Sequence, residues 1–244
     1  FEDAQRDGRK ALEWARRLGW KPLIALVLNN LGNAEKNLGH MGDGLALHLE
    51  ALQLRREASD DNPRDRAAIV QSLSNIVLVY QRLEDWPLAE QYSREAYQRA
   101  LQLDDRPQLV RIALNHASVR LEHDGAAAAH EVLQLLDGLG DLESLREQVP
   151  RMADVLIRNA LSTRASALAL AGAPEQAIAP AQAAVSLART MTSGKELAEA
   201  LNTLAEVHMS LQPAQLDVAV RSLREAAALA VQLKALPLFQ VKLI

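Results

Sequence analysis

The sequence predicts an all-α fold: one solenoid over residues 1–244, built from about eleven or twelve helices stacked as helix–turn–helix units. Three observations predict it. The segment "LNNLGNAEKNLG" at 28–39 returns in altered form as "LNHASVRLEHDG" at 114–125 and "LNTLAEVHMSLQ" at 201–212, and self-similarity at a regular period marks a repeat architecture. Downstream of most copies a small residue is followed by Ala seven positions later, as in Gly44/Ala51, Ala89/Ala96, Ala177/Ala184 and Ala219/Ala226. Seven residues is two helical turns, so each pair lies on one helix face and lets two backbones approach closely. Gly or Pro breakers separate each copy from its pair, and no stretch alternates with the period of a strand.

The elements follow in order. A small residue anchors each first helix (helix A) at Gly32, Val77, Ser118, Ala165 and Ala205, with spacings of 45, 41, 47 and 40 residues. Val77 is larger than the position asks for. The breakers "LGHMGD" (38–43), "LEDWPL" (83–88), "EHDGA" (122–126), "AGAPE" (171–175) and "LQPAQ" (211–215) end helix A and open helix B. Residues 1–18, carrying the pair Ala4/Ala11, read as a lone helix B. Full units follow over 21–58, 64–103, 106–138, 150–191 and 194–233, and residues 235–244, "ALPLFQVKLI", read as an opening helix A. In the third unit two registers for helix B stay open, His130/Asp137 and the more apolar Ala129/Leu136. "LGDLESLREQV" reads as an inserted segment, with Pro150 starting the next helix. Pro180 falls inside helix B of the fourth unit, where it removes a backbone hydrogen bond and should kink the helix. Half-units at both ends and the absence of an initiator Met lead us to expect a segment of a longer protein.

Composition narrows the function. The net charge is −4 with both signs spread along the chain, unlike the basic stripe of a nucleic-acid binder. There is no cysteine, so disulfides and thiolate metal sites are excluded and a cytoplasmic location is expected. No run approaches the ~18 apolar residues of a membrane span, so neither nucleic acid nor membrane is an expected partner. Arginine outnumbers lysine 21 to 6, a bias that accompanies GC-rich bacterial genomes. The chain lacks a Gly-rich phosphate loop, an HExxH motif and a nucleophile elbow, so no enzyme and no cofactor is expected. The carboxylates of "SDDNPRDR" (59–66) and "LDDRP" (103–107) fall between units and read as turn and helix-start residues. His116, His123 and His130 are spaced by seven. That is about 10.5 Å along a helix, too far for ligands of one zinc, so no metal site is expected. Trp14, Trp20 and Trp86 lack a surrounding basic patch for base stacking.

The small residues at close-packing points, the LNxLG-like helix A, the Ala in helix B, Tyr80 and Trp86 together resemble the tetratricopeptide (TPR) repeat. Glu35 departs from it, standing where an aromatic is usual. The long units are similar to those of kinesin light chains and of bacterial signalling and regulatory proteins. The resemblance implies a right-handed superhelix whose A helices line a concave surface. It implies ligand contacts from helix-A positions 2, 5, 9 and 12, the anchor being position 8. Position 5 reads Asn29, Ser74, Asn115, Ser162 and Asn202, polar in every unit. An amide offers donors and an acceptor together, as a peptide backbone requires; the same amides can equally satisfy neighbouring turns. Asn33, Lys36, Gln81 and Glu206, from positions 9 and 12, complete the candidate peptide-binding set. Position 6 (Asn30, Asn75, His116, Thr163, Thr203) is assigned to packing between units, and His208, in the slot held by Tyr80, to packing as well. Co-chaperone TPR domains clamp a C-terminal carboxylate with Lys and Asn; Asn33 and Lys36 fit, but Leu78 and Val119 leave that clamp incomplete. The expected function is protein or peptide recognition, as the sensory or regulatory segment of a bacterial signalling protein. The alternatives are a homo-oligomerisation scaffold pairing through the apolar ends, and the input module of a diguanylate cyclase, kinase or transcription activator.

Overall fold

The computed structural model describes residues 2–57 and 63–233. The predicted closing helix at 235–244 lies outside them. The described residues form twelve α-helices and no strand. They are α1 (Glu2–Leu18), α2 (Lys21–Asn37), α3 (Met41–Arg56), α4 (Pro63–Arg82), α5 (Trp86–Ala100) and α6 (Arg106–Asp124), then α7 (Ala126–Gly138), α8 (Leu145–Gln148), α9 (Pro150–Leu170), α10 (Pro174–Thr190), α11 (Gly194–Ser210) and α12 (Leu216–Gln232). Helix starts follow local chemistry. Proline opens α2, α5, α9 and α10 within the first two positions, where its missing N–H has no intrahelical partner to lose. Asp85 caps α5 by accepting from the Leu88 N–H at 3.2 Å.

In four of the five units the turn between helix A and helix B uses a left-handed residue seven positions after the anchor: Gly39, Glu84, Gly125 and Gly172, all at positive φ; in the α11–α12 turn Gln212 stands there without a positive φ. Three are glycines, which adopt this conformation without a Cβ penalty; Glu84, at φ 57°, adopts it with one. Pro180 lies inside α10, which runs unbroken from Pro174 to Thr190. The buried Ala177, Ala181, Ala184 and Ala188 hold that helix against its neighbours despite the proline. The inserted segment contains the single-turn helix α8, whose Leu145 is buried.

The chain packs as two compact units divided between Val119 and Arg120. In the first, α1 packs on α2, α2 on α3, α3 on α4 and α4 on α5. The paired glycines set the α2–α3 distance. A Cβ on Gly44 would lie 3.0 Å from the Gly32 carbonyl oxygen, and one on Gly32 would lie 2.9 Å from Cε1 of His48. The main core there gathers Leu52, Ile69, Leu73, Ile76, Val77 and Ile112 around Ala89 and Ala96, with Tyr80 stacked on Tyr92 at 5.6 Å. Ala4 and Ala11 are exposed, whereas the equivalent pairs in α3, α5, α10 and α12 are buried. That face meets the unit's own helix A in the full units, and among the described residues α1 has none ahead of it. Its buried residues, Leu12 and Ala15, lie on another face.

In the second unit α7 and α8 pack on α9, α9 on α10 and α11, α10 on α11, and α11 on α12. Its cores are built on small residues, chiefly Ala165, Ala177 and Ala181 in one and Ala184, Ala188, Ala198 and Ala226 in the other. Within α7, Ala129 and Leu136 are buried while His130 and Asp137 are exposed, which settles the register left open by the sequence. No helix among the described residues is long and apolar enough to cross a membrane.

Candidate functional site

The nine predicted site residues divide sharply by what holds them. In the first unit most are engaged within the chain. Asn29 is buried, and its Oδ1 accepts from Nδ2 of Asn75 at 2.8 Å. Asn75 Oδ1 accepts from Nε2 of Gln71 at 3.2 Å, and Gln71 Oε1 from the Arg111 guanidinium at 3.4 Å. The result is a relay from Arg111 through Gln71 and Asn75 to Asn29, joining α6, α4 and α2. Ser74 is buried and donates back to the Val70 carbonyl of its own helix at 3.0 Å. Ser74 and Asn115 come together at a void of about 10 Å³ that Ser93, Val77, Ala96 and Ile112 also line, about the room of one water-sized sphere. Asn33 accepts from Lys36 Nζ at 3.2 Å. Burial, and then the charge of Arg82, hold the Lys36 ammonium below its ordinary pKa. Gln81 is half-buried, and between these polar groups Leu26 and Leu78 are exposed.

In the second unit the position-5 groups have no such partners. Ser162 Oγ and Asn202 Oδ1 are both buried atoms with no hydrogen-bond partner among the described residues. Glu206, one turn beyond Asn202 on α11, is exposed. Nearby, Arg158 is buried and reaches Glu199 at 2.9 Å, tying α9 to α11. Unpaired buried polar atoms cost about 1–3 kcal/mol each, and these two oxygens lie just beneath the surface of α9 and α11 without a partner among the described residues.

Of the position-6 residues, Asn75 and His116 pack between helices, whereas Asn30 is exposed and Thr203 donates back to the Glu199 carbonyl of its own helix at 3.3 Å. Besides Asn75, His116 is buried, its Nδ1 lies 2.8 Å from Ser93 Oγ, and its ring stacks on Tyr97 at 5.5 Å. His123 and His130 are exposed. His208 is buried, as its equivalence to Tyr80 implies.

Other polar features escaped the sequence reading. Glu35 is buried and accepts from Gln5 at 2.8 Å, Arg9 at 3.0 Å and His40 at 2.8 Å. Burial alone would raise its carboxyl pKa, but the bonds from His40, Arg9 and Gln5 outweigh it and hold the group below its ordinary value. Glu35, His40 and Asp43 have ligand atoms within 4.8 Å of one another, yet the Glu35 oxygens are already occupied by protein donors, Arg9 among them. His48 is completely buried, with neither ring nitrogen hydrogen-bonded among the described residues. Burial, then the charges of Lys36 and Arg55, push its pKa down to about 4. The signal missed was glycine: a ring on the partner helix fits only where Gly32 has no side chain.

A second missed feature is an ion-pair ladder between successive B helices. Arg16 pairs with Glu50 at 2.8 Å, Arg56 with Glu95 at 2.6 Å and Arg189 with Glu225 at 3.1 Å. Each arginine stands five residues after the marker alanine of its helix, and each glutamate one before the marker alanine of the next unit. That signal was legible, and its exposed pairs are worth only about 0–1 kcal/mol each.

Antiparallel helix pairs that meet through small residues and recur every 40–47 residues define a helix-pair repeat of the TPR type. No protein-family model and no curated protein sequence matches this chain. Solved structures do. The chain is similar to BtubC (BKLC) from P. vanneervenii, with a TM-score of 0.66 over 96% of this chain and 92% of that one at 13% identity. It is also similar to a putative kinesin light chain with nearly identical TPR-like repeats from Podosopora anserina. There the TM-score is 0.62 over 88% of this chain and 98% of that one, at 12% identity. Likeness at such low identity establishes a shared fold, the TPR-like helical repeat.

Proposed function

We propose that this chain is a protein-interaction scaffold that binds an extended or helical peptide across its A helices, as the sensory or regulatory segment of a bacterial signalling protein. The observation that carries the reading is the pair of buried, unpartnered acceptor atoms on adjacent A helices, Ser162 Oγ on α9 and Asn202 Oδ1 on α11. A peptide backbone supplies N–H groups that match both. Glu206, one turn beyond Asn202, supplies selectivity there, and within the first unit Asn115, Asn33, Lys36 and Gln81 stand at the equivalent repeat positions. Exposed Leu26 and Leu78 offer apolar contact for a side chain of the ligand. The polar residues of the first unit contribute shape through their relay, while those of the second contribute the unmet hydrogen bonds.

The test is a pull-down from native cell lysate with the wild type beside Ser162→Ala/Asn202→Ala. Neither removed oxygen has a partner among the described residues, so comparing melting temperatures separates binding from architecture. A partner retained by the wild type and lost from a variant of unchanged melting temperature is the expected result. Equal retention by both overturns the assignment to this surface.

A homo-oligomeric scaffold is the second reading, favoured by one observation: α1 exposes Trp14 and Leu18 one turn apart, and Trp20 just beyond them is exposed too. Mass that rises with concentration, and stops rising in Trp14→Glu, is its signature.

A further inference from the structure

Between α10 and α12, on the B-helix side of the second unit, a groove of about 380 Å³ opens over α11. This is within the ~300–1,000 Å³ range of ligand pockets. Leu201 and Leu204 of α11 form its floor, Val185 and Val218 its apolar walls, and Ser222 its base on α12. The Arg189–Glu225 ion pair closes the end nearer the helix C-termini. Arg221 stands exposed on the rim, with its Nε donating to the Asp217 carbonyl of its own helix at 3.3 Å.

The repeats themselves show what fits such a groove. Ser222 stands three residues after its marker residue Ala219; the residues three after Gly44 and Ala89 are Leu47 and Tyr92. Both are half-buried and packed against the first unit's core. Tyr92 stacks on Tyr80, and the equivalent of Tyr80 is His208, buried with its Nδ1 unpartnered among the described residues. At Ser222 the chain places a hydroxyl, turned back onto the Val218 carbonyl at 3.2 Å, where α3 and α5 place a large apolar side chain and α10 places Pro180. Leu47 packs in the cluster of Leu28 and Leu31 of α2, and Tyr92 in that of Leu73 and Ile76 of α4; Leu201 and Leu204 stand at the same repeat positions here.

We infer that the α10–α12 groove receives the tyrosine side chain of a partner protein segment, in the place that Tyr92 fills from within in α5, with an acidic neighbour of that tyrosine meeting Arg221. An aromatic side chain carries roughly 150–250 Å² of surface to bury, and its hydroxyl reaches the polar rim formed by Gln182, Ser186 and Arg221. The groove opens between two B helices, and none of its lining residues belongs to the peptide-binding set proposed above.

The experiment titrates the full chain, observed by amide NMR, with three blocked tripeptides. They carry tyrosine, leucine or alanine between two glutamates. The expected result is saturable shifts at Val185, Leu204 and Ser222 with the tyrosine probe, at least fivefold weaker binding of the leucine probe, and none of the alanine probe. Ser222→Tyr should abolish the shifts, because the groove is then filled by the chain itself. Arg221→Glu, an exposed change that leaves the groove open, should weaken the tyrosine probe at least threefold and restore binding when lysines replace its glutamates. No localised shifts in the wild type, tighter binding of the leucine probe, or undiminished binding to Ser222→Tyr would each overturn the inference. If Ser222→Tyr does not fold, the Arg221→Glu charge exchange decides alone, and equal affinities across it refute the proposal.

Discussion

His48 is an unusual residue to bury: a ring with two polar nitrogens, neither bonded among the described residues, pressed against the bare backbone of Gly32. The site holds it neutral. Because its folded pKa is depressed to about 4, its contribution to stability is intact above the unfolded value of roughly 6.5 and is lost as pH falls toward 4. The loss amounts to at most about 3 kcal/mol on the linkage relation. Chemical denaturation at pH 7, 5.5 and 4 should show this decline in the wild type and a flatter profile in His48→Leu. Parallel profiles would mean that the ring is solvated in the native state. Glu35 acts in the same direction at lower pH. Its carboxyl is held below the ordinary range, so its contribution remains until acid protonates it and releases Gln5, Arg9 and His40.

At the scale of helices, neighbouring A helices of the first unit are joined by side-chain amides as well as by apolar packing. Removing Asn29 alone leaves the Asn75 Nδ2 donor buried beside an alanine, at a cost of about 1–3 kcal/mol. Removing both should cost less than the sum of the single changes. A double-mutant cycle over Asn29→Ala and Asn75→Ala, read by denaturant midpoint, should therefore give a coupling of about 1 kcal/mol or more. Additivity would mean the bond contributes nothing. This is also where the sequence was least legible. The polar pattern of position 5 is plain to read, but an amide that meets a peptide and an amide that meets its neighbour are the same residue type. Only the lateral offset of α2 against α4, which places position 5 of one beside position 6 of the next, distinguishes them. Position 6 was readable as packing at Asn75 and His116, which are buried, but not at Asn30, which is exposed.

For the chain as a whole, helix–turn–helix organisation was legible because each breaker states its own physics. Glycine sits at the left-handed turn, and proline sits at a helix start. Pro180 lies inside α10, whose assignment as helix continues on both sides of it and whose buried alanines pack on the neighbouring helices. The α10–α12 groove was hidden, since Ser222 becomes informative only when it is set beside Leu47 and Tyr92. Repeat proteins distribute stability through nearest-neighbour contacts, so damage should stay local. Gly44→Ala gains about 1 kcal/mol in helix propensity but forces a methyl to 3.0 Å from the Gly32 carbonyl. Overpacking of this kind costs about 1–3 kcal/mol. Hydrogen exchange should show protection falling in α2 and α3 while α11 and α12 keep theirs. A uniform loss along the chain would show that the two compact units unfold as one.

The amide relay of the first unit has one further consequence. Arginine can only donate, so Arg111 obliges Gln71 to turn its oxygen toward α6 and its hydrogens toward Asn75. Asn75 is thereby obliged to offer its own hydrogens to Asn29, and Asn29 to spend its oxygen. Three flippable amides acquire a single sense from one permanent charge, as a row of compass needles does from a magnet at its end. Two helices away from that charge, the orientation of Asn29 has already been decided: its oxygen is turned toward α4, and its hydrogens face the other way.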